Sequence, residues 1–253
     1  MFLNLLIITA SFLARSMTDD SNVDITKGPP DYDKPWVDGW GFNVSDPTLW
    51  KQLHDQIVNT TLQHKDDIKV VFLGDSKIAR YMSEGKAVWD EYFRKDGYYN
   101  YGIRGDSTRQ ILWRMSHQEF EGLTPKVLVF MIGGNNFKNN YNKGTDEEII
   151  KAMVIIIDKL KEMLPQTEIV IVGQLPRKGS TDKRARNIHQ QLKDDYQKKT
   201  VTKVHFLDIF DEYLKSNGKQ NKQLFIDDGI HLNEDGYRIL AKHMTTIIDK
   251  LLK

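Results

Sequence analysis

The 253-residue chain contains no cysteine. This absence excludes disulfide bonds, thiol nucleophiles and cysteine zinc sites. It does not decide the cellular compartment, because a chain of this length buries a large core and needs no covalent cross-links. A charge excess of one sign is also missing, since 36 basic and 35 acidic side chains leave a formal net charge of +1. Without a basic block, the sequence predicts neither nucleic acid nor an anionic membrane surface as a partner.

Residues 2–14 form an apolar run of about half the length that a membrane span needs. The run lacks acidic residues and is followed by Ala-Arg-Ser at 14–16, a small-x-small pattern typical of a cleavage site. We therefore expect residues 1–16 to be a secretory signal peptide, not a membrane anchor, and the protein to be secreted. Sequons at Asn43 and Asn59 favour the same interpretation. The run lacks the basic n-region that is typical of a signal peptide. The alternative is that these residues are a disordered start, in which case we expect a cytoplasmic protein.

Apolar runs and periodicity predict alternating strands and helices. Strands are expected over 68–73, 98–102, 127–132, 168–172 and 204–207, and helices over 47–63, 77–93, 107–120, 145–164, 180–200 and 234–252, with a helical turn at 209–214. Continuously apolar strands are typical of parallel sheets that are buried on both faces. We therefore predict a three-layer, doubly wound α/β/α sandwich over residues 47–253, preceded by an irregular lead-in over 17–46.

The first predicted strand ends in Gly-Asp-Ser at 74–76, and Ser76 stands where the next helix begins. Open α/β sheets place their ligands at the carboxyl ends of strands. Backbone N–H groups and the positive end of a helix suit a developing oxyanion, so Ser76 is a candidate nucleophile. An ordinary N-cap serine would give the same local pattern. A second Gly-Asp-Ser, at 105–107, follows a turn, and we assign Ser107 a capping role.

His231 is the candidate general base. Of the seven histidines, it is the one that lies in a loop with an acid, Asp228, three residues upstream. A bend in this loop would bring Asp228 to the imidazole, where it fixes the tautomer and stabilises the imidazolium. A structural pair or half of a metal site would show the same spacing. No further His, Asp or Glu cluster at metal spacing completes such a site, so no metal is expected.

Two other predicted strand ends offer hydrogen-bond donors for an oxyanion. Gly105 follows the second strand and can present its N–H without a side chain in the way. Asn135, in Gly-Gly-Asn-Asn at 133–136 after the third strand, can supply a side-chain N–H. Taken alone, each segment could equally be a glycine turn or an Asn-rich loop.

In their order, these pieces resemble the blocks of the SGNH (GDSL-type) hydrolases. The matching blocks are Gly74-Asp75-Ser76, Gly105, Gly133-x-Asn135 and Asp228-x-x-His231. Over residues 50–252 the chain is most similar to the catalytic subunits of the platelet-activating-factor acetylhydrolase group. That similarity is carried by Trp50-x-x-Leu53-His54, Gly102-Ile103-x-Gly105-Asp106-x-Thr108-Arg109 and Leu112-Trp113-Arg114.

The resemblance implies a flavodoxin-like sandwich, a serine esterase without metal or organic cofactor, and a homodimer. It implies that Ser76 attacks the ester carbonyl, His231 takes the proton and Asp228 orients His231. The N–H groups of Ser76 and Gly105 and the side chain of Asn135 would hold the oxyanion. The expected substrates are acetylated phospholipids or sugars.

Three positions depart from the family pattern or border its catalytic residues. Lys77 stands where leucine or methionine commonly follows the serine, and Gly134 is smaller than the usual threonine. With Ile230, these residues would wall the acyl pocket and bind the substrate. The resemblance implies a preference for acetyl or another short acyl group.

Two alternatives stay open at this point. A secreted SGNH fold with weak or no activity could bind a lipid or a glycan, although every catalytic position is present here. A flavin or nucleotide binder would need a Gly, Ser and Thr-rich phosphate loop after the first strand, where this chain has an acid. The chain also lacks the Gly-x-Ser-x-Gly elbow of α/β-hydrolases.

Overall fold

The computed structural model describes residues 46–137, 144–197 and 201–253. The predicted signal peptide (1–16), almost all of the lead-in and the sequon at Asn43 lie outside these residues. Asp46 caps the first described helix by accepting a hydrogen bond from the backbone N–H of Leu49 at 2.9 Å.

The core of the fold is a parallel sheet with the strand order β2-β1-β3-β4-β5. Its strands are β1 (Val70–Gly74), β2 (Tyr98–Gly102), β3 (Val127–Met131), β4 (Glu168–Val172) and β5 (Val204–Leu207). Every neighbouring pair is parallel. The predicted three-layer α/β/α, flavodoxin-like fold with five parallel strands is confirmed. Strand β2 lies on one side of β1 and strand β3 on the other. The strand order therefore reverses at β1, which creates a switch point at the carboxyl end of this strand.

Seven α-helices surround the sheet in the described part of the chain. They are α1 (Pro47–His64), α2 (Ser76–Ala79), α3 (Lys86–Tyr92), α4 (Thr108–Met115), α5 (Asp146–Met163), α6 (Thr181–Tyr196) and α7 (Glu234–Leu251). Short 3₁₀ turns cover Arg80–Met82, Gly134–Phe137, Asp211–Tyr213 and Lys222–Leu224. The capping box expected at the start of α5 is present, between Thr145 and Glu148.

The three inner strands β1, β3 and β4 bury side chains on both faces, which explains their continuous apolar sequences. In β1, Val71 and Leu73 join a core with α1, α4, α5 and α6, whereas Val70 and Phe72 join a second core with α3 and α7. Successive strand residues point to opposite faces, so the two cores share one sheet.

The single helix predicted over 77–93 is wrong. The structure divides this segment into α2, a 3₁₀ turn and α3, which begins after Gly85. A Cβ on Gly85 would lie 2.9 Å from the ring of Tyr237, so this glycine lets the chain turn against α7. Similarly, the helix predicted over 107–120 ends at Met115, and Gln118 follows with a positive φ of 64°.

Candidate active site

Ser76 is the first residue of α2, directly beyond the central strand β1. A Cβ on Gly74 would lie 2.3 Å from the carbonyl oxygen of Met131, so only glycine fits this end of β1 beside β3. Asp75 caps α2, because its Oδ1 accepts the backbone N–H of Lys77 at 2.9 Å. The capping role is therefore taken by Asp75 and not by Ser76.

The hydroxyl of Ser76 is instead hydrogen-bonded to His231. Its Oγ lies 2.8 Å from Nε2 of His231, and Nδ1 of His231 lies 2.5 Å from Oδ2 of Asp228. The other oxygen of Asp228 accepts the backbone N–H groups of Ile230 at 2.8 Å and His231 at 2.9 Å. Gly229 allows this tight loop with a φ of 64°. Ser76, which is far away in sequence, thus joins His231 and Asp228 in one hydrogen-bonded series with the geometry of a Ser-His-Asp triad.

The surroundings of this series favour a neutral imidazole beside an ionised carboxylate. Burial lowers the pKa of His231, and Arg80 and Lys77 add to this effect, against the opposing influence of Asp228. Despite partial desolvation, hydrogen bonds from His231 and two backbone groups lower the pKa of Asp228. A neutral imidazole can accept the Ser76 proton at neutral pH.

Gly105 and Asn135 follow the strands on either side of β1. Gly105 adopts a φ of 90°, a conformation that favours glycine. The Nδ2 of Asn135 donates to the backbone oxygen of Asp106 at 2.8 Å, which ties the loop after β3 to the loop after β2. An amide nitrogen carries two hydrogens, so this bond orients the group without using its full donor capacity. The role of both residues as oxyanion donors stays a prediction.

Asp106, in the second Gly-Asp-Ser, anchors a buried charge network that the sequence did not reveal. Its Oδ1 accepts the indole N–H of Trp50 at 2.6 Å, and its Oδ2 accepts Nη1 of Arg114 at 2.5 Å. The same guanidinium donates to both oxygens of Glu119, at 2.5 and 2.6 Å. Both ion pairs have 0% exposed side chains. Ser107 caps α4 through a capping box, as predicted.

The network holds two carboxyl groups around one cation. Burial raises the pKa of Asp106 to about 7, although Arg114 and the Trp50 indole favour its ionised form. Against the effect of burial, Arg114 and His54 lower the pKa of Glu119. Several of these residues lie in the blocks that carry the family resemblance, but no local pattern predicts their burial, because Trp50 of α1 reaches Asp106 in the loop after β2.

Two of the three predicted acyl-pocket residues meet in the structure. A Cβ on Gly134 would lie 3.1 Å from Nζ of Lys77 and 2.6 Å from Nη1 of Arg177, a residue that the sequence analysis missed. Lys77 is 4% exposed, and its Nζ lies 3.9 Å from Oδ2 of Asp75. The side chain of Ile230 is half-buried, and its backbone N–H supports Asp228.

Two features are absent from residues 46–137, 144–197 and 201–253. No group of three or more His, Asp or Glu side chains there lies in positions that could hold a metal ion. Within the same residues, no helix combines the length and apolar character needed to cross a bilayer.

Fold and site together define a parallel α/β protein with a serine, a histidine and an aspartate hydrogen-bonded in series at the switch point of its sheet. The model of the GDSL-like lipase/acylhydrolase family matches residues 72–239, more than half of the chain. The chain belongs to this family and is a carboxylic ester hydrolase. The resemblance drawn from the motifs is thereby confirmed.

Relatives and solved structures agree with this assignment. The chain is 31% identical to platelet-activating factor acetylhydrolase IB subunit alpha2 of Rattus norvegicus over 208 residues, 81% of this chain and 85% of that one. It is 28% identical to subunit alpha1 of Homo sapiens over 205 residues, 80% of this chain and 84% of that one. A GDSL-like lipase from Bacteroides thetaiotaomicron shares the fold with a TM-score of 0.62 at 17% identity, covering 78% and 98% of the two chains. A carbohydrate esterase family 3 structure from Talaromyces cellulolyticus gives 0.52 at 17% identity, covering 73% and 97%.

Proposed function

We propose that the protein is a serine esterase that hydrolyses short-chain, acetyl-type esters of a lipid or a carbohydrate. The observation that carries this proposal is the hydrogen-bonded series from Ser76 through His231 to Asp228. This series lies at the carboxyl end of β1, and open α/β sheets bind their ligands at the carboxyl ends of their strands.

The chemistry follows from the position of each group. His231 takes the proton of Ser76 as Oγ attacks the acyl carbon, and Asp228 stabilises the imidazolium that forms. The N–H groups of Ser76 and Gly105 and the amide of Asn135 receive the oxyanion. Collapse of this intermediate expels the alcohol, which takes the proton from His231. Water then attacks the acyl-enzyme with His231 as the base, which releases the carboxylic acid and restores Ser76.

The space beside Gly134 and the names of related proteins support the acyl group and the source of the substrate. Lys77 and Arg177 fill the space that a side chain at Gly134 would take, which leaves little room there for a long acyl group. Named relatives include acetylhydrolase subunits and a carbohydrate esterase. Secretion is part of the proposal because of the apolar segment at 2–14, and a homodimer because of the family resemblance. Amino-terminal sequencing of the exported protein and light scattering test these two points.

Hydrolysis of p-nitrophenyl acetate by wild type, Ser76→Ala and Ser107→Ala tests the nucleophile. Ser107 is the matched control, since it occupies the same tripeptide but caps α4. We expect Ser76→Ala to lose at least about three orders of magnitude in kcat, because the residual rate comes from binding and the oxyanion site alone. Ser107→Ala should keep its activity while losing about 1 kcal/mol of stability. Equal activity of wild type and Ser76→Ala would overturn the assignment.

A p-nitrophenyl ester series tests the acyl preference, with activity expected to fall from acetate to octanoate. A folded wild type that hydrolyses no ester but binds lipid or glycan would support the alternative, a binding protein on the same fold.

A further inference from the structure

The hydroxyl of Tyr237, in the last helix, is hydrogen-bonded to the chain beside the proposed nucleophile. It donates to the backbone oxygen of Lys77 at 2.9 Å, and Lys77 directly follows Ser76. The side chain of Tyr237 is fully buried, so this bond is shielded from water. Burial also raises the pKa of Tyr237, so the hydroxyl keeps its proton and acts as a donor at neutral pH. The bond therefore joins α7 to the first turn of α2.

Helix α2 depends on its neighbours for its position. It contains four residues, and a helix this short is not stable on its own. On the side of β2, Nδ2 of Asn100 donates to the backbone oxygen of Ile78 at 2.8 Å. On the side of α7, the hydroxyl of Tyr237 donates to the backbone oxygen of Lys77. Two consecutive carbonyl groups of α2 are thus held by two different elements, and the position of Ser76 depends on both.

Tyr237 also belongs to the segment that carries the proposed base. Asn233 lies two positions after His231 and caps α7, because its Oδ1 accepts the backbone N–H of Gly236 at 3.0 Å. The backbone N–H of Tyr237 donates to the backbone oxygen of Asn233 at 2.9 Å, within the first turn of this helix. The capped turn therefore fixes where Tyr237 lies relative to His231.

These contacts form a closed series that includes the proposed catalytic hydrogen bond. Oγ of Ser76 lies 2.8 Å from Nε2 of His231. The chain continues from His231 into α7, and Tyr237 of that helix returns to the residue next to Ser76. The ring of Tyr237 packs against that of Tyr81, with 4.5 Å between the ring centroids. A movement of α2 away from α7 would therefore lengthen the distance between the nucleophile and the base.

We propose that Tyr237 is a positioning residue that holds Ser76 at hydrogen-bonding distance from His231 through the carbonyl group of Lys77. This inference rests on the proposed function and adds a residue that acts through the nucleophile and not on the substrate. Proton transfer from Oγ to Nε2 requires a short hydrogen bond between the two atoms. Displacement of a reacting group by about 1 Å can lower a rate about 10²-fold.

The test is Tyr237→Phe, which removes the hydroxyl and keeps the aromatic packing. We expect kcat for p-nitrophenyl acetate to fall about 10- to 100-fold at a similar KM, because the substrate contacts remain while proton transfer from Ser76 is impaired. A second readout is the rate of inactivation by paraoxon, in which Oγ of Ser76 displaces p-nitrophenolate from phosphorus. This rate should fall by a similar factor, since it depends on the same nucleophile and base.

Tyr213→Phe is the matched control. The hydroxyl of Tyr213 is also buried and donates to the first turn of α7, at 2.8 Å from the backbone oxygen of Gly236, but it joins α7 to the segment after β5 and not to α2. Each variant loses one buried hydrogen bond, so both should lower the melting temperature by about 2–4 °C. Tyr213→Phe should keep the kcat and the paraoxon rate of wild type.

Three results would overturn the inference. A Tyr237→Phe protein with the kcat and paraoxon rate of wild type would show that the hydroxyl does not position Ser76, as would a rise in KM at unchanged kcat. Equal losses of kcat in the Tyr237 and Tyr213 variants would show that any loosening of α7 has the same effect. In each case an active wild type leaves the proposed function in place. A wild type that hydrolyses no ester would instead contradict the proposed function, and this inference with it.

Discussion

Replacing Arg114 with methionine tests how strongly the buried charge network supports the fold. The substitution removes the one cation between Asp106 and Glu119 and leaves two carboxyl groups with no exposed side-chain surface. Removing one partner of a buried ion pair typically costs about 3–5 kcal/mol. For a domain of this size, each 1 kcal/mol lowers the melting temperature by about 2–4 °C. We therefore expect a melting temperature lower by about 6–20 °C.

Urea unfolding followed by tryptophan fluorescence measures this loss, since Trp50 lies in the network and packs 5.5 Å from Trp113. Arg238→Met is the control, because Arg238 forms its ion pairs with Glu91 and Glu234 on the surface. Exposed pairs contribute little, so this variant should unfold with the wild type. An Arg114→Met protein as stable as wild type would refute the reasoning.

The same variant has a pH signature. Without Arg114, burial raises the folded-state pKa of both carboxyl groups above their unfolded values. The folded state then holds protons that the unfolded state releases, so stability falls as pH rises. The deficit of the variant should be smaller at pH 5 than at pH 8. A deficit that does not change between these pH values would show that packing and not charge is responsible.

Four further predictions concern the site and its scaffold. Because burial lowers the pKa of His231, activity on p-nitrophenyl acetate should persist through pH 6.5 and decline only at lower pH, and a flat profile down to pH 4 would exclude His231 as the base. Asp228→Asn should lower kcat by about 10³–10⁴ at similar KM in steady-state assays, because the imidazole tautomer is no longer fixed. Gly105 has a φ of 90°, and Gly105→Ala should lower kcat on p-nitrophenyl acetate. Gly122 has a φ of 71° but lies away from the site, so Gly122→Ala should only lower the free energy of unfolding, by about 1–3 kcal/mol in urea. Thr145→Ala removes the cap of α5 and should lower the unfolding free energy by about 1 kcal/mol, with activity retained.

The inner strands could be predicted from the sequence, because burial on both faces requires a continuous run of apolar residues. The bounds of β4 agree with those predicted from that run, and the bounds of the less buried edge strands β2 and β5 also agree with the prediction. Helical periodicity is a local signal, and it could not reveal the break at Gly85. That break depends on Tyr237, which comes from the last helix.

The candidate triad could be proposed from the sequence because each member carries a local sign: a strand ending in Gly-Asp-Ser, or an acid three residues before a loop histidine. Arg177 carried no such sign, since its position beside Gly134 arises only when the loops after β3 and β4 meet. Asp75 was expected to oppose a phosphate ligand. The structure adds that its carboxylate occupies the helix end where a phosphate would bind.

The indole of Trp50 spans 56 positions of sequence to reach Asp106, whose carbonyl oxygen holds the amide of Asn135. We therefore expect this amide to reach its final orientation after α1 has docked. During refolding of a variant that keeps Trp50 as its only tryptophan, hydrolytic activity should therefore return in step with the fluorescence change, and later than the far-ultraviolet signal of the sheet.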